Sequence, residues 1–231
     1  WRFISTSFKI IMTLRSFFIF TLLGLYLILL CRLVLKKKIL GKHIEFFTMA
    51  IFTIFFTETS ALICRQYLDK NPTILYNISI IGITYFLFLF YFFKLTENQN
   101  LKKLQLGICV VHVINFIVSA FITKDFITVF SETTNFTGIF LLLVSVAVFM
   151  IDTLNSEHVL RLRSYYPFYV ALSLVLIYTG LIPLLFFGKM VTQPSEAYVF
   201  QILMLVVNWI GYILLIAGTF YAKKINTAYE I

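Results

Sequence analysis

Glu58 is the residue whose chemistry fits its surroundings least. It stands in Phe55-Phe56-Thr57-Glu58-Thr59-Ser60, inside an apolar run long enough to cross a membrane. A carboxylate near the centre of such a helix costs roughly 3 kcal/mol on the insertion scale, whereas each Leu, Ile, Phe or Val returns about 0.3–0.6 kcal/mol. The run therefore inserts, and Glu58 must face the bundle interior or a wet cavity. Arg65 follows seven residues later, on the same helix face and nearer the surface. It can pair with Glu58 by reaching back, or through water. Two readings stand: a polar hub that locks helices together, and a ligand or proton site.

Other polar groups fall inside apolar runs at helical spacing. Gln105, His112, Asn115 and Ser119 share one face of a fourth run. Asn77, Thr84 and Tyr85 lie in the third, and Tyr178, Thr179, Gly180 and Pro183 in the sixth. Gln201, Asn208 and Tyr212 lie in the seventh, beside Trp209. The candidate ligand-binding set is Glu58, Asn77, His112, Asn115, Tyr178, Gln201 and Asn208, gathered in a shallow polar pocket toward the outer face. Pro183 is its candidate hinge, since proline removes a helix donor and frees a carbonyl. Interhelical hydrogen bonding with no ligand is the competing reading. His43 and His158 fall in loops, so a haem held by two axial histidines is not expected. No metal site and no cofactor is expected.

The elements that must position these groups follow from composition. Of 231 residues, 61% are hydrophobic and only 13% charged, against about 25% charged in soluble domains. Aromatics reach 18%, with 27 Phe and 13 Tyr. These proportions exclude a soluble enzyme, a disulfide scaffold and a disordered tail. The net charge of +9 does not indicate nucleic acid, because the basic residues are scattered between apolar runs rather than gathered in a patch.

Seven runs meet the length of about 20 residues that a membrane helix needs. They are Phe17 to Leu35, Ile44 to Cys64, Thr73 to Phe93, Leu104 to Ile122, Gly138 to Leu154, Phe168 to Phe187 and Tyr198 to Tyr221. A β-barrel needs segments of about ten alternating residues, and these runs are longer and do not alternate. The predicted fold is all-α: a polytopic seven-transmembrane-helix bundle. Residues 12–231 form its single domain. Residues 1–11, before Met12, are expected to be an N-terminal extension lying at the interface. The first span would serve as its own insertion signal.

Short-loop Lys and Arg mark the cytoplasmic side. Arg32, Lys36, Lys37, Lys38, Lys42, Lys94, Lys102, Lys103, Arg161, Arg163, Lys223 and Lys224 lie on one side. The poorer side holds Arg65, Lys70, Lys124 and Lys189, with Arg2, Lys9 and Arg15. The predicted orientation is N-terminus outside and C-terminus cytoplasmic. Lys36, Lys37, Lys38, Arg161 and Arg163 are candidate cytoplasmic contacts for a partner or anionic lipid. Glu157 to Arg161 reads as a brief surface helix. Cys31, Cys64 and Cys109 read as small packing residues, without a disulfide. Asn77-Ile78-Ser79 and Asn135-Phe136-Thr137 fit a glycosylation sequon and carry no weight alone.

Several chemistries lack their residues. The seventh span has no mid-membrane Lys for a retinal Schiff base. Gly-x-Ser-Gly, His-Glu-x-x-His, a P-loop and a dinucleotide fingerprint are all absent from the sequence. A non-enzymatic protein is expected.

Four segments carry a resemblance: Phe56-Thr57-Glu58, Ile74-Leu75-Tyr76-Asn77-Ile78, Leu154-Asn155-Ser156-Glu157-His158-Val159-Leu160 and Tyr178-Thr179-Gly180-Leu181-Ile182-Pro183. From Met12 onward the chain resembles uncharacterised small seven-transmembrane inner-membrane proteins of Bacteroidota. These in turn look like the seven-helix sensory regions of some bacterial histidine kinases. The resemblance implies a bacterial inner membrane and a sensing role, and supplies no catalytic residues. Few residues follow the last span here, so output is expected to pass to another membrane protein. The function expected is a receptor-like sensing module or an accessory subunit of a larger membrane complex. A small-solute or proton-coupled transporter using Glu58 and His112 is the alternative. The expected partners are the lipid bilayer, another membrane protein and a small-molecule ligand, with no nucleic acid.

Overall fold

The computed structural model describes residues 2–123, 126–188 and 194–223, with side chains described over 17–123, 126–183 and 202–223. Lys124, Lys189, Lys224 and the side chain of Gln201 lie outside the described residues. Seven long helices account for most of the chain. They are α1 (Arg2–Leu35), α2 (Ile44–Tyr67), α3 (Thr73–Leu95), α4 (Gln99–Ile122), α5 (Glu132–Leu154), α6 (Tyr166–Gly188) and α7 (Pro194–Tyr221). All seven are long and apolar enough to cross a membrane. Residues 2–11, expected as an interfacial extension, are the opening turns of α1.

Hydrocarbon around the helices explains the surface. A spanning chain must satisfy its backbone internally, which helices do, and its outward side chains need no charge. Phe20, Phe52 and Phe140 are each more than half exposed, which is the lipid-facing arrangement. The helices form a ring in chain order, with α7 closing onto α1. Helix α3 also packs across on α5, which leaves α4 on the outside against both. Gly41, at φ +110°, permits the tight turn between α1 and α2.

The bundle has two faces. One carries the ends of α1, α3, α5 and α7 (Leu35, Leu95, Leu154, Tyr221) and is called the Lys36 face. The other carries the end of α2 and is called the Arg65 face.

The interior near the Lys36 face is an aromatic layer. Phe47, Phe88, Tyr91, Phe92, Phe149 and Tyr166 are all fully buried. Their rings interlock: Phe47 lies 5.7 Å from both Phe88 and Tyr91, and Phe92 lies 5.1 Å from Phe149. Such offset and tilted contacts add to the burial of the rings themselves.

Helix ends on this face are tied down by side chains. Lys36 donates to the Thr219 carbonyl at 2.7 Å, and Arg32 donates to the Thr219 hydroxyl while its guanidinium lies 3.9 Å over Phe220. Both cations thus sit at the C-terminal end of α7, where the helix dipole favours positive charge. Asn98 caps α4 by accepting from Asn100 and Leu101. Asp152, at the end of α5, accepts from the Glu97 and Asn98 backbone N–H groups at 2.7 and 3.2 Å. Asp152→Ala exposes those two donors to water and is expected to cost about 1 kcal/mol. The check is amide hydrogen exchange, with residues 97–101 exchanging roughly fivefold faster while the rest of α4 is unchanged.

Glu157–Ser164 forms a 3₁₀ helix, opened by Ser156 accepting from the His158 N–H. His158 stacks flat on Tyr165 with ring centroids 4.6 Å apart and lies 3.6 Å from a Glu97 carboxylate oxygen. Burial, followed by the nearby Glu97 and Asp152 carboxylates, pushes the Tyr165 phenol above its ordinary range.

The third helix departs from the regular spacing read in the sequence. Tyr76–Thr84 is π-helical. The Tyr85 N–H donates to the Ile80 carbonyl and the Thr84 hydroxyl to the Ser79 carbonyl, both five residues back. Within this stretch Tyr76 reaches α2, while its neighbour Asn77 reaches the loop between α4 and α5.

Candidate functional site

A cavity of about 410 Å³ lies between α1, α2, α3, α5, α6 and α7. Its walls come from the halves of these helices nearer the Arg65 face. On α1 they run from Phe18 down to Tyr26, and on α2 from Arg65 down to Ile54. On α3 they run from Tyr76 to Tyr85, with Asn135 and Ile139 of α5 beside them. Tyr178 and Leu181 of α6 and Met204, Asn208 and Tyr212 of α7 close the circuit. None of the residues of the aromatic layer is among them; that layer lies beneath, toward the Lys36 face.

Glu58 is the one carboxylate on this wall among the described residues. The Tyr76 hydroxyl donates to its Oε2 at 3.0 Å. Arg65, read as reaching Glu58 directly or through water, lines the same cavity with its guanidinium 5.7 Å over the Tyr76 ring. The aromatic ring stands between the two charges, and a cation over such a face is favoured by the ring quadrupole. Two further tyrosine pairs meet edge to face. Tyr26 and Tyr212 have centroids 4.6 Å apart at 80°, and Tyr85 and Tyr178 lie 5.6 Å apart at 78°. Tyr85 also donates to Asn135 Oδ1 at 2.8 Å. Asn208 Nδ2 donates to its own helix, at the Met204 carbonyl.

Of the candidate set, the structure brings Glu58, Tyr178 and Asn208 to this cavity and places Asn77, His112 and Asn115 elsewhere. Asn77 is fully buried and holds a loop: its Nδ2 donates to the Phe126 and Val129 carbonyls and its Oδ1 accepts from the Ser131 N–H. His112 faces α3, with Nε2 3.5 Å from the Gly82 carbonyl. It lines a separate recess of about 250 Å³ with Ile78, Gly82 and Phe116. The Tyr85 ring stands between His112 and the Glu58 cavity, 6.2 Å from the imidazole on one side and against Tyr178 on the other. Asn115 Nδ2 is buried with no partner among the described residues.

The polar face of α4 is real and is spent on helix contacts. Gln105 donates to the Ser145 carbonyl at 2.8 Å and accepts from the Ser145 hydroxyl, both on α5. Ser119 meets the hydroxyls of Ser131 and Thr134. Both sequon asparagines are buried and hydrogen-bonded, which removes them as surface acceptors. Pro183 lies inside α6, two residues beyond the cavity residue Leu181. Among the basic residues, Lys36 turns onto α7 and Arg163 lies 5.4 Å from the Tyr221 ring, while Lys37, Lys38 and Arg161 stay exposed.

The site residues that sequence reasoning passed over are Tyr26 and Tyr76, while Tyr85 and Tyr212, read as polar groups within spans, were not placed in the candidate set. A signal was present: Tyr26, Glu58 and Tyr212 are all mid-span groups able to hydrogen-bond in hydrocarbon. Comparisons with protein-family models, with curated proteins and with solved structures give no match. What the site does must therefore be argued from its chemistry.

Proposed function

We propose that this integral membrane protein is a non-enzymatic, receptor-like sensing module. It binds a small molecule in the Glu58 cavity and passes the change to another membrane protein. The observation that carries the reading is the depth profile: a half-depth cavity with polar groups on an otherwise apolar wall, above a layer of buried, interlocked aromatic rings. That is the form of a ligand pocket. A ligand there acts by preferring one helix arrangement over another, and Pro183 in α6 is the proposed pivot. The excess of Lys and Arg at the Lys36 face supports a cytoplasmic C-terminus and an outside N-terminus. The resemblance to seven-helix sensory regions supports a bacterial inner membrane and a sensing role.

A carrier is the second reading, favoured by one observation. The Tyr91 and Tyr166 hydroxyls in the aromatic layer have no hydrogen-bond partner among the described residues, so opening the layer to water would satisfy them. Against it, Glu58 and His112 do not share a cavity, which a relay between them would require.

Reconstitution in liposomes separates the two. Leu160, 86% exposed on the Lys36 face, is replaced by a fluorophore-labelled cysteine after Cys31, Cys64 and Cys109 are changed to alanine. Phenylbutylamine, phenylbutanol and phenylbutyrate are then added on the Arg65 side. The expected result is a saturable fluorescence change with at least one probe, and no probe or proton uptake above protein-free vesicles. Protein-dependent uptake would establish the carrier instead.

A further inference from the structure

We infer that the Glu58 cavity is built for a lipophilic ammonium carrying a single positive charge. The inference rests on the reading of this cavity as a ligand site and names the ligand's chemistry.

Among the described residues, the cavity wall carries one carboxylate, Glu58, and one cation, Arg65. Glu58 Oε2 is held by the Tyr76 hydroxyl, whereas Oε1 has no hydrogen-bond partner among the described residues. A carboxylate at this depth has lost most of its hydration, so a cation that reaches it gains far more than it would in water. Arg65 does not fill that role, because it is held over the Tyr76 ring nearer the Arg65 face.

The surrounding rings fit an organic cation. Tyr26 with Tyr212 and Tyr85 with Tyr178 each set two ring planes close to perpendicular, and all four residues line the same space as Glu58. These pairs hold one another in place edge to face, and an ammonium at the Glu58 carboxylate would lie among aromatic rings, whose π faces attract cations. An inorganic cation is served poorly. A hard divalent ion needs several oxygen or nitrogen ligands, and no group of three or more His, Cys, Asp or Glu comes together among the described residues.

The rest of the wall fixes the ligand's body and its charge. Leu22, Ile54, Ile139 and Leu205 present only hydrocarbon, so the remainder of the ligand must be apolar. Arg65 at the mouth repels a second positive group, which selects a monoamine over a polyamine.

The test uses the full chain in lipid nanodiscs at pH 7, with binding measured calorimetrically and empty nanodiscs subtracted. Phenylbutylamine, phenylbutanol and phenylbutyrate share one apolar body and differ in charge. The amine is expected to bind at least tenfold more tightly than the alcohol, and the carboxylate more weakly than either. Glu58→Gln keeps an acceptor for the Tyr76 hydroxyl and is expected to erase the amine's advantage while leaving alcohol binding unchanged. Leu205→Trp, with Leu22→Trp as a second filling variant from another helix, is expected to abolish binding of both. Equal binding of amine and alcohol by the unaltered protein would overturn the ammonium assignment and leave the cavity a ligand site. Amine preference surviving Glu58→Gln, or amine binding surviving both filled cavities, would overturn it too. Absence of binding by all three probes would overturn both the assignment and the ligand-site reading beneath it.

Discussion

Asn77→Leu lowers the thermal unfolding temperature of the purified protein by roughly 10 °C, while Asn115→Leu leaves it unchanged or raises it. The two asparagines sit at similar depth and suffer the same substitution, yet their hydrogen bonding differs. Asn77 satisfies three backbone groups of the α4–α5 loop: the Phe126 and Val129 carbonyls and the Ser131 N–H. Leucine fills nearly the same space and satisfies none of them. A buried polar group left without a partner costs about 1–3 kcal/mol. Both carbonyls lie at the partly exposed rim of the loop and regain some water, so the lower end applies to them and the total is about 3–4 kcal/mol. At about 2–4 °C per kcal/mol for a chain of this size, that gives the stated shift. Asn115 already has a buried, unpartnered Nδ2, so leucine there removes a cost and adds apolar contact. Circular dichroism melts of the two variants in one detergent measure the contrast. Equal destabilisation would show that Asn115 has a partner in solution, and a silent Asn77→Leu would show that the loop is not held from α3.

This contrast also marks how far the sequence could be read. The seven crossings were legible because hydrocarbon demands long apolar runs, and nothing else in the chain has that composition. Their ends were less so. Helix α4 begins at Gln99 rather than Leu104, and α5 at Glu132 rather than Gly138, because a helix continues into the headgroup zone wherever caps such as Asn98 hold its first donors. Glu58 was legible as a site residue because a charge in hydrocarbon must have a use. Of the tyrosines around it Tyr178 was legible too, but Tyr26 and Tyr76 were not: in composition they count among the apolar residues, and only their azimuth shows that they share a wall. Azimuth is also what separates Asn77 from Tyr76. They are adjacent in sequence and serve different helices, and the π-helical stretch that orients them leaves no periodic mark, since Tyr76 to Thr84 alternates no polar pattern. The α4 set was found as a face, but whether a face meets a cavity or another helix depends on the ring order of the bundle. Gln105 and Ser119 face α5, so they lock helices instead of lining the pocket.

Gly211→Val should be the more damaging substitution for the site itself. A Cβ at Gly211 would collide with Cγ1 and Cδ1 of Ile177, and one at Gly218 would lie 2.7 Å from both Cβ and Cγ of Tyr169. Cβ of Tyr169 does not move with χ1, and Cγ1 of Ile177 moves only by leaving the one χ1 rotamer that a β-branched residue strongly prefers in a helix, so the helices must part. Small residues at such a seam are what let membrane helices approach closely, where lipid offers no hydrophobic drive to hold them. Overpacking costs typically about 1–3 kcal/mol, and the branched valine at a helix-facing position lies at the upper end. Gly24 is the control, because a Cβ there meets nothing within 4 Å. Gly24→Ala should therefore stabilise by up to about 1 kcal/mol through helix propensity alone. The functional consequence follows from adjacency. Gly211 precedes Tyr212 and its contact Ile177 precedes Tyr178, so prying α7 from α6 displaces one member of each edge-to-face tyrosine pair. Gly211→Val should thus lose cavity binding together with stability, whereas Gly218→Ala, a turn or two nearer the Lys36 face, should lose stability while retaining most binding. Melting temperatures and probe affinities measured on the same nanodisc preparations resolve the two. Intact affinity in Gly211→Val would mean that the α6–α7 seam does not set the cavity wall.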